Sequence, residues 1–256
     1  MTELLALWCV PRSRSTAFER AMYERGDFLV VHEPFSRVCD FGAAEVDGRT
    51  CASQDEVMAA LLEVSATRPV FFKDTTDFPI DRLGANPDFV HRCRHAAMIR
   101  NPRDTVRSHL VMQADATSRA MGFRNLWDIV ATVRAAGMPM HLVDGDRMVR
   151  DPEQEMTAYC AAMGIPFVPG SLAFRKEPPP SWGTTGRWHA GASASTALGV
   201  AARTREELPA ALRPVAERYE RDQLPYHDRI RAALNPEQRE PASGQGTQRS
   251  AHEFGA

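Results

Sequence analysis

Lysine is almost absent from this chain: among 31 basic residues only Lys73 and Lys176 are lysines. Neither lies near the turn best suited to hold a phosphate, Pro11-Arg12-Ser13-Arg14-Ser15-Thr16. That turn also lacks the spaced glycines and the Gly-Lys-Ser/Thr ending of a Walker loop. Together these absences argue against a nucleoside triphosphatase built around a phosphate-loop lysine. Cysteine is scarce and odd in number, five residues with no Cys-x-x-Cys pair. This argues against a disulfide framework and for reduced thiols in a cytoplasm. No stretch approaches the ~18 apolar residues of a membrane span. The start lacks a basic region followed by an apolar run and a cleavage site, so a cytoplasmic protein with no membrane partner is expected. A formal charge of -2 leaves no global field to attract nucleic acid. Basic residues must therefore act through local placement.

The 256 residues, 43% hydrophobic and 25% charged, suit one well-buried globular domain. Apolar, strand-like runs recur at Leu4–Cys9, Phe28–Val31, Val70–Phe72, Ala96–Ile99 and Met140–Val143. Segments of helical periodicity alternate with them, at Thr16–Glu24, Gln54–Val64, Pro102–Met112, Asn125–Ala135 and Pro152–Met163. The pattern predicts a three-layer α/β fold, a central parallel sheet flanked by helices. A further helix is expected at Glu206–Leu224, after an irregular Pro- and Gly-rich loop over Lys176–His189. From about residue 235 the chain turns polar, so the expected division is one domain over 1–234 and a disordered tail over 235–256.

In a parallel sheet, ligands bind beside the loops that leave the carboxyl ends of the strands. Arg12, His32, Glu33, Lys73, Asp74 and Arg100 all fall at such ends, which predicts one shared site. The Arg12–Thr16 turn enters a helix, so amides, hydroxyls and guanidinium groups can converge on one oxyanion. A second anion site is read in Arg100-Asn101-Pro102-Arg103-Asp104-Thr105-Val106-Arg107-Ser108. There Asn101 suits the N-cap, Pro102 the first helical position, and Asp104 can reach back to free amides. A capped helix with a solvated basic face is the plainer alternative for that segment.

These two segments resemble the 5′-phosphosulfate loop and the 3′-phosphate motif of sulfotransferases that use 3′-phosphoadenosine 5′-phosphosulfate (PAPS). The first is closest to the bacterial form Pro-Arg-Ser-Gly-Ser-Thr; the second keeps Arg100 and Ser108 at the family's spacing. The likeness continues through His141–Glu153 and Met163–Phe167, and Gly183–His189 resembles the late segment that closes over the nucleotide. Arg14 stands where the family usually has Gly. Ala17 stands where many relatives stack a Trp on adenine, which leaves Phe18 or the late tryptophans for that task.

The resemblance implies a P-loop NTPase-like sulfotransferase fold and transfer of a sulfuryl group from PAPS to a hydroxyl or amine of a small-molecule acceptor, as in secondary metabolism, leaving 3′,5′-adenosine bisphosphate (PAP). It implies that Arg12 bridges the transferring group and the leaving phosphate, with Ser13, Arg14, Ser15 and Thr16 around that phosphate. Arg100 and Ser108 would hold the 3′-phosphate, and Arg187 and Trp188 would cover the nucleotide. Glu33 is the expected base, slightly ahead of His32, and Phe35, Lys73 and Asp74 would line the acceptor site. A structural Lys73–Asp74 pair is an equal alternative. No metal is expected: His91-Arg92-Cys93-Arg94-His95 offers potential ligands without a second cluster to complete a site. The rival functions are a kinase-like phosphotransferase and a non-catalytic PAP-binding module.

Overall fold

The computed structural model describes residues 3–199 and 207–235. In chain order the elements are β1 (Leu4–Cys9), α1 (Ser15–Arg25), β2 (Leu29–His32), α2 (Pro34–Phe41), β3 (Ala44–Val46), β4 (Arg49–Cys51), α3 (Gln54–Val64), β5 (Val70–Thr75), α4 (Pro87–Arg92), β6 (Arg94–Ile99), α5 (Pro102–Met112), α6 (Phe123–Ala135), β7 (Met140–Asp144), α7 (Arg147–Arg150), α8 (Pro152–Ala162), α9 (Gly186–Ala194) and α10 (Arg213–Leu234). Five strands form one parallel sheet in the order β2-β5-β1-β6-β7, and β3 pairs with β4 as a separate antiparallel hairpin.

β1 is buried along its whole length, and its alternate side chains feed two different cores. Leu4, Ala6 and Trp8 join the face covered by α3, α4 and α6, while Leu5, Leu7 and Cys9 join the face covered by α1 and α8. This two-sided burial is why the strand reads as an unbroken apolar run. Neighbours of β1 arise on both sides, β5 on one and β6 on the other, so the switch in strand order falls at the carboxyl end of β1. The crevice expected at such a point lies directly over the Pro11–Thr16 turn.

Trp8 donates its indole N–H to His95 Nδ1 at 3.1 Å, and the other ring nitrogen of His95 meets the Val90 carbonyl at 3.0 Å. The imidazole is thereby committed to one neutral tautomer, and burial lowers its pKa to about 4. His91 bonds its own helix at the Pro87 carbonyl. The His91–His95 run therefore builds structure.

The C-terminal helix differs from expectation. It runs Arg213–Leu234 and continues through Pro225, which sequence reading takes as a stop. Its contacts with α5 and α6 hold it past the proline. The irregular loop expected over residues 176–189 is partly helical, with a 3₁₀ turn at Pro180–Thr185 leading into α9. The expected tail beyond Asn235 lies outside the described residues. Among the described residues no helix is long and apolar enough to cross a membrane.

Trp8 also packs on Phe35 and Phe72, at ring separations of 5.4 and 5.1 Å. Trp8→Ala is expected to cost about 3–5 kcal/mol of stability. Urea unfolding measures it, and a loss below 1 kcal/mol would show that the cluster relaxes around the missing ring.

Candidate active site

The Pro11–Thr16 turn sits at the head of α1 with two glycines pressed against it. A Cβ on Gly145 would come 2.3 Å from the Ser13 carbonyl, and one on Gly122 would come 2.6 Å from Pro11. Arg12 and Arg14 take positive φ, 63° and 76°. The left-handed backbone at Arg14 explains physically why glycine suits this position of the loop. The first turn of α1 carries neither a side-chain cap nor an acidic residue. Its unpaired amides therefore keep their positive end toward the cleft, which is lined there by Arg12, Arg14, Ser15 and Thr16. Ser13 is fully buried, with its hydroxyl lacking a hydrogen-bond partner.

Arg12 joins three separate parts of the chain. It donates to Ser108 Oγ from Nε and to the Trp188 carbonyl from NH1, each at 3.0 Å, and its guanidinium lies 5.8 Å from the Trp188 ring centre. The 5′- and 3′-type segments thus meet directly. Burial and then the nearby charge of Arg100 lower the Arg12 pKa, as two cations converging on an anion site should. Arg100 lines the cleft but is held by Asp146 and Asp104, each at 2.9 Å. Asp104 pairs with Arg100. Asn101 caps α5 as expected, accepting from the Arg103 amide at 2.9 Å.

At the neighbouring ends of β2 and β5 lies a buried ionic cluster. Lys73 Nζ bonds Glu33 Oε1 and stands 3.8 Å from Glu19, which accepts from His32 Nδ1 at 2.8 Å. His32 Nε2 is 3.4 Å from Glu33. Burial raises the Glu33 pKa, but Lys73 and His32 outweigh it and bring the carboxyl down to about 2. Lys73, opposed by burial, is raised by its two carboxylates. Glu33 faces the cleft at φ 48°; His32 lies behind it, 3% exposed.

Two expected acceptor residues stand elsewhere. Phe35 is fully buried in the aromatic core. Asp74 is also fully buried and caps α2, accepting from the amides of Phe35 and Ser36 at 2.6 and 3.1 Å and from Ser36 Oγ at 2.5 Å. Burial nevertheless pushes its pKa up to about 8. Lys73 is paired with Glu33 and Glu19, so the Lys73–Asp74 pair is not formed as such. Phe18, a candidate for adenine stacking, is core; Trp182 is buried and donates to Glu19 at 3.3 Å. Trp188 alone of these lines the cleft, and the side chain of Arg187 lies outside the described residues.

The cleft encloses about 2010 Å³, and its far wall includes Ser36, Asp40, Phe41, Asp77, Met112 and Ala116. Three residues missed in the sequence complete it. Glu19 reads as an ordinary helix charge. His109, lowered to about 4 by burial and Arg12, lies 5.5 Å from Trp188. His189 approaches Thr16 Oγ1 with Nδ1 at 3.2 Å. Arg20 fixes the segment carrying His189 by donating to the carbonyls of Ala192, Ser193 and Lys176.

The family model described as Sulfotransferase domain matches residues 3–229, and the chain belongs to that family. Among curated proteins it is similar to branched-chain-amino-acid aminotransferase-like protein 1 of Arabidopsis thaliana, 25% identical over 194 residues that make up 73% of this chain. The chain spans about a third (34%) of that relative's length. Solved structures of similar outline include a sulfotransferase domain from the curacin biosynthetic pathway, 16% identical with a TM-score of 0.49, matched over 91% of this chain and 98% of the other. Another is a sulfotransferase from Alicyclobacillus acidocaldarius, 13% identical with a TM-score of 0.49, over 91% and 96%.

Two variants test the site's construction. Gly145→Ala is expected to displace the Ser13 carbonyl at a cost of about 1–3 kcal/mol and to weaken PAP binding, measured by calorimetry. Lys73→Met strips the buried carboxylates of their cation and is expected to cost about 3–5 kcal/mol at neutral pH. In the wild type, Glu33 is depressed below its unfolded pKa of about 4.3, so its contribution is present above that pH and lost as pH falls toward 2. In Lys73→Met burial acts unopposed by that cation, the Glu33 pKa rises, and its contribution reverses: present in acid and lost as pH climbs. Melting temperatures from pH 4 to 8 report the sign; parallel profiles for the two proteins would refute the assignment.

Proposed function

We propose that this protein is a PAPS-dependent sulfotransferase acting on a hydroxyl or amine of a small-molecule acceptor. The observation that carries this reading is the 3.0 Å contact of Arg12 with Ser108, which brings the phosphosulfate-type loop and the 3′-phosphate-type helix to one point at the head of α1. The residues lining the cleft fit the donor: the uncapped head of α1 with Ser15, Thr16 and Arg12 would face one phosphate, while Arg100 and Ser108 would take a second. PAPS supplies the sulfuryl group as a substrate. Sulfuryl transfer passes negative charge to peripheral and leaving oxygens, so positioned cations and amides do most of the catalytic work. Arg12 would stabilise the leaving phosphate. Glu33, kept ionised by Lys73, would orient the acceptor's O–H or N–H in the cleft. The wall of Phe41, Met112 and Ala116 would receive the acceptor's apolar body.

Thermal shift with PAP against ATP plus magnesium tests this directly. Stabilisation by PAP alone supports the sulfotransferase reading; stabilisation by ATP alone supports a kinase-like phosphotransferase, and by neither a non-catalytic module. Arg12→Ala is expected to reduce transfer from PAPS at least a hundredfold in a mass-spectrometric acceptor screen. Arg100→Ala is expected chiefly to weaken PAP, by tenfold or more, because it removes a charge-assisted phosphate contact. Wild-type affinity in Arg100→Ala would overturn the site assignment.

A further inference from the structure

Around the ends of β2 and β5 the cleft is lined by three carboxylates: Glu33, Asp40 near the end of α2, and Asp77 just beyond β5. The cation of this part, Lys73, is spent on Glu33 and Glu19. Arg37, the basic residue of α2, does not line the cleft and donates to the Ser181 carbonyl at 2.5 Å. Neither Asp40 nor Asp77 forms an ion pair among the described residues. Beside Asp40 the Phe41 ring lies 57% exposed, and Phe78 follows Asp77 on the same wall.

The turn after β5 also holds hydrogen-bond acceptors that lack donors. Asp77 Oδ1 is sealed from solvent and meets no donor. The same holds for Oδ1 of Asn125, a residue 2% exposed, whose Nδ2 donates to the carbonyls of Thr76 and Asp77 at 2.8 and 3.3 Å. Acceptors buried in this way cost free energy that a group bearing N–H donors would recover. Burial, then the charges of Glu33 and Asp40, push the Asp77 pKa up to about 6, outweighing a hydrogen bond from Thr75. At pH 7.5 the carboxylate is still ionised, so the turn lacks both donors and positive charge.

We propose that the acceptor is an alcohol or phenol that also carries a protonated amine, its ammonium group bound by Asp77 and its apolar body laid against Phe41 and Phe78. This rests on the sulfotransferase reading and names the acceptor class within it. An ammonium group supplies three N–H donors and a full positive charge. Asp40, at the exposed rim, adds to the attraction. A protonated nitrogen has no lone pair to offer sulfur, so the hydroxyl is presented to Glu33 and the nitrogen serves as the handle. Selection works as much by penalty as by attraction. A neutral acceptor would leave Asp77 unpaired in a desolvated cleft, and an anionic one would face Glu33, Asp40 and Asp77 together.

The test titrates the full chain at pH 7.5, with and without PAP, using three phenols of one shape and different charge: tyramine, 4-ethylphenol and 3-(4-hydroxyphenyl)propionate. Calorimetry is expected to rank tyramine at least about tenfold above 4-ethylphenol, with the propionate weakest. In Asp77→Asn the advantage of tyramine over 4-ethylphenol is expected to shrink to about threefold or less. A wild-type advantage already that small, an advantage unchanged in Asp77→Asn, or no binding of tyramine at millimolar concentration overturns the proposal. Should Asp77→Asn not fold, the trimethylammonium analogue of tyramine decides in the wild type, since it keeps the charge and loses the N–H donors. Weaker binding than tyramine supports the contact with Asp77, and equal binding overturns it. PAP binding is read separately: if PAP fails to bind, the donor reading falls, whereas the charge ranking without nucleotide still judges the handle.

Discussion

The ammonium group of Lys73 lies in the protein interior between the carboxylates of Glu19 and Glu33. Each partner belongs to a different element: Glu19 to α1, Glu33 to the end of β2, Lys73 to β5. Glu19 in turn holds His32 and receives the indole N–H of Trp182 from the late segment. Isolated, any one of these charges would be expensive to bury. Together they bind α1, the end of β2 and the late segment that lines the cleft. The geometry of this part of the cleft depends on that one cation.

Backbone strain gathers in the same place. Arg12, Arg14 and Glu33 account for three of the four non-glycine residues with positive φ among the described residues; the fourth, Asp47, turns the β3–β4 hairpin. Each such conformation costs on the order of 1 kcal/mol or more, and persists where surrounding packing overrides it. Gly122 and Gly145 supply that packing from two sides of the turn. The loop is thereby held with the head of α1 already directed at the cleft, so little ordering is left for a ligand to impose.

Much of this was legible in the sequence because the central strands are buried on both faces. Leu4–Cys9, Gln54–Val64 and Pro102–Met112 were bounded to the residue, and the Asn101 cap followed from residue chemistry. What failed to show were relations between distant residues. Glu19 looks solvent-facing until Lys73, far along the chain, is placed beside it. His189 sits among Gly and Pro that read as loop, and only the fold returns it to Thr16. Asp74 lies at a strand end and Phe35 a few residues beyond one, where a ligand would be expected, yet the start of α2 consumes the first and the aromatic core the second. Pro225 misled in the opposite direction, since packing against two helices carries α10 through it.

The late segment departs from the body and returns to it at one point. Ala173 and Ala197 form an antiparallel bridge, flanked by hydrogen bonds from Phe174 to Thr196 and from Leu198 to Leu172. Between these hydrogen bonds the segment is latched by Arg12, Thr16, Glu19 and Arg20, with no strand of the main sheet running through it. A stretch anchored in this way can lengthen, shorten or change its side chains without shifting the register of any sheet pairing. The closing wall of the cleft is thus free to diverge between relatives while the parallel strands beneath it keep their alignment.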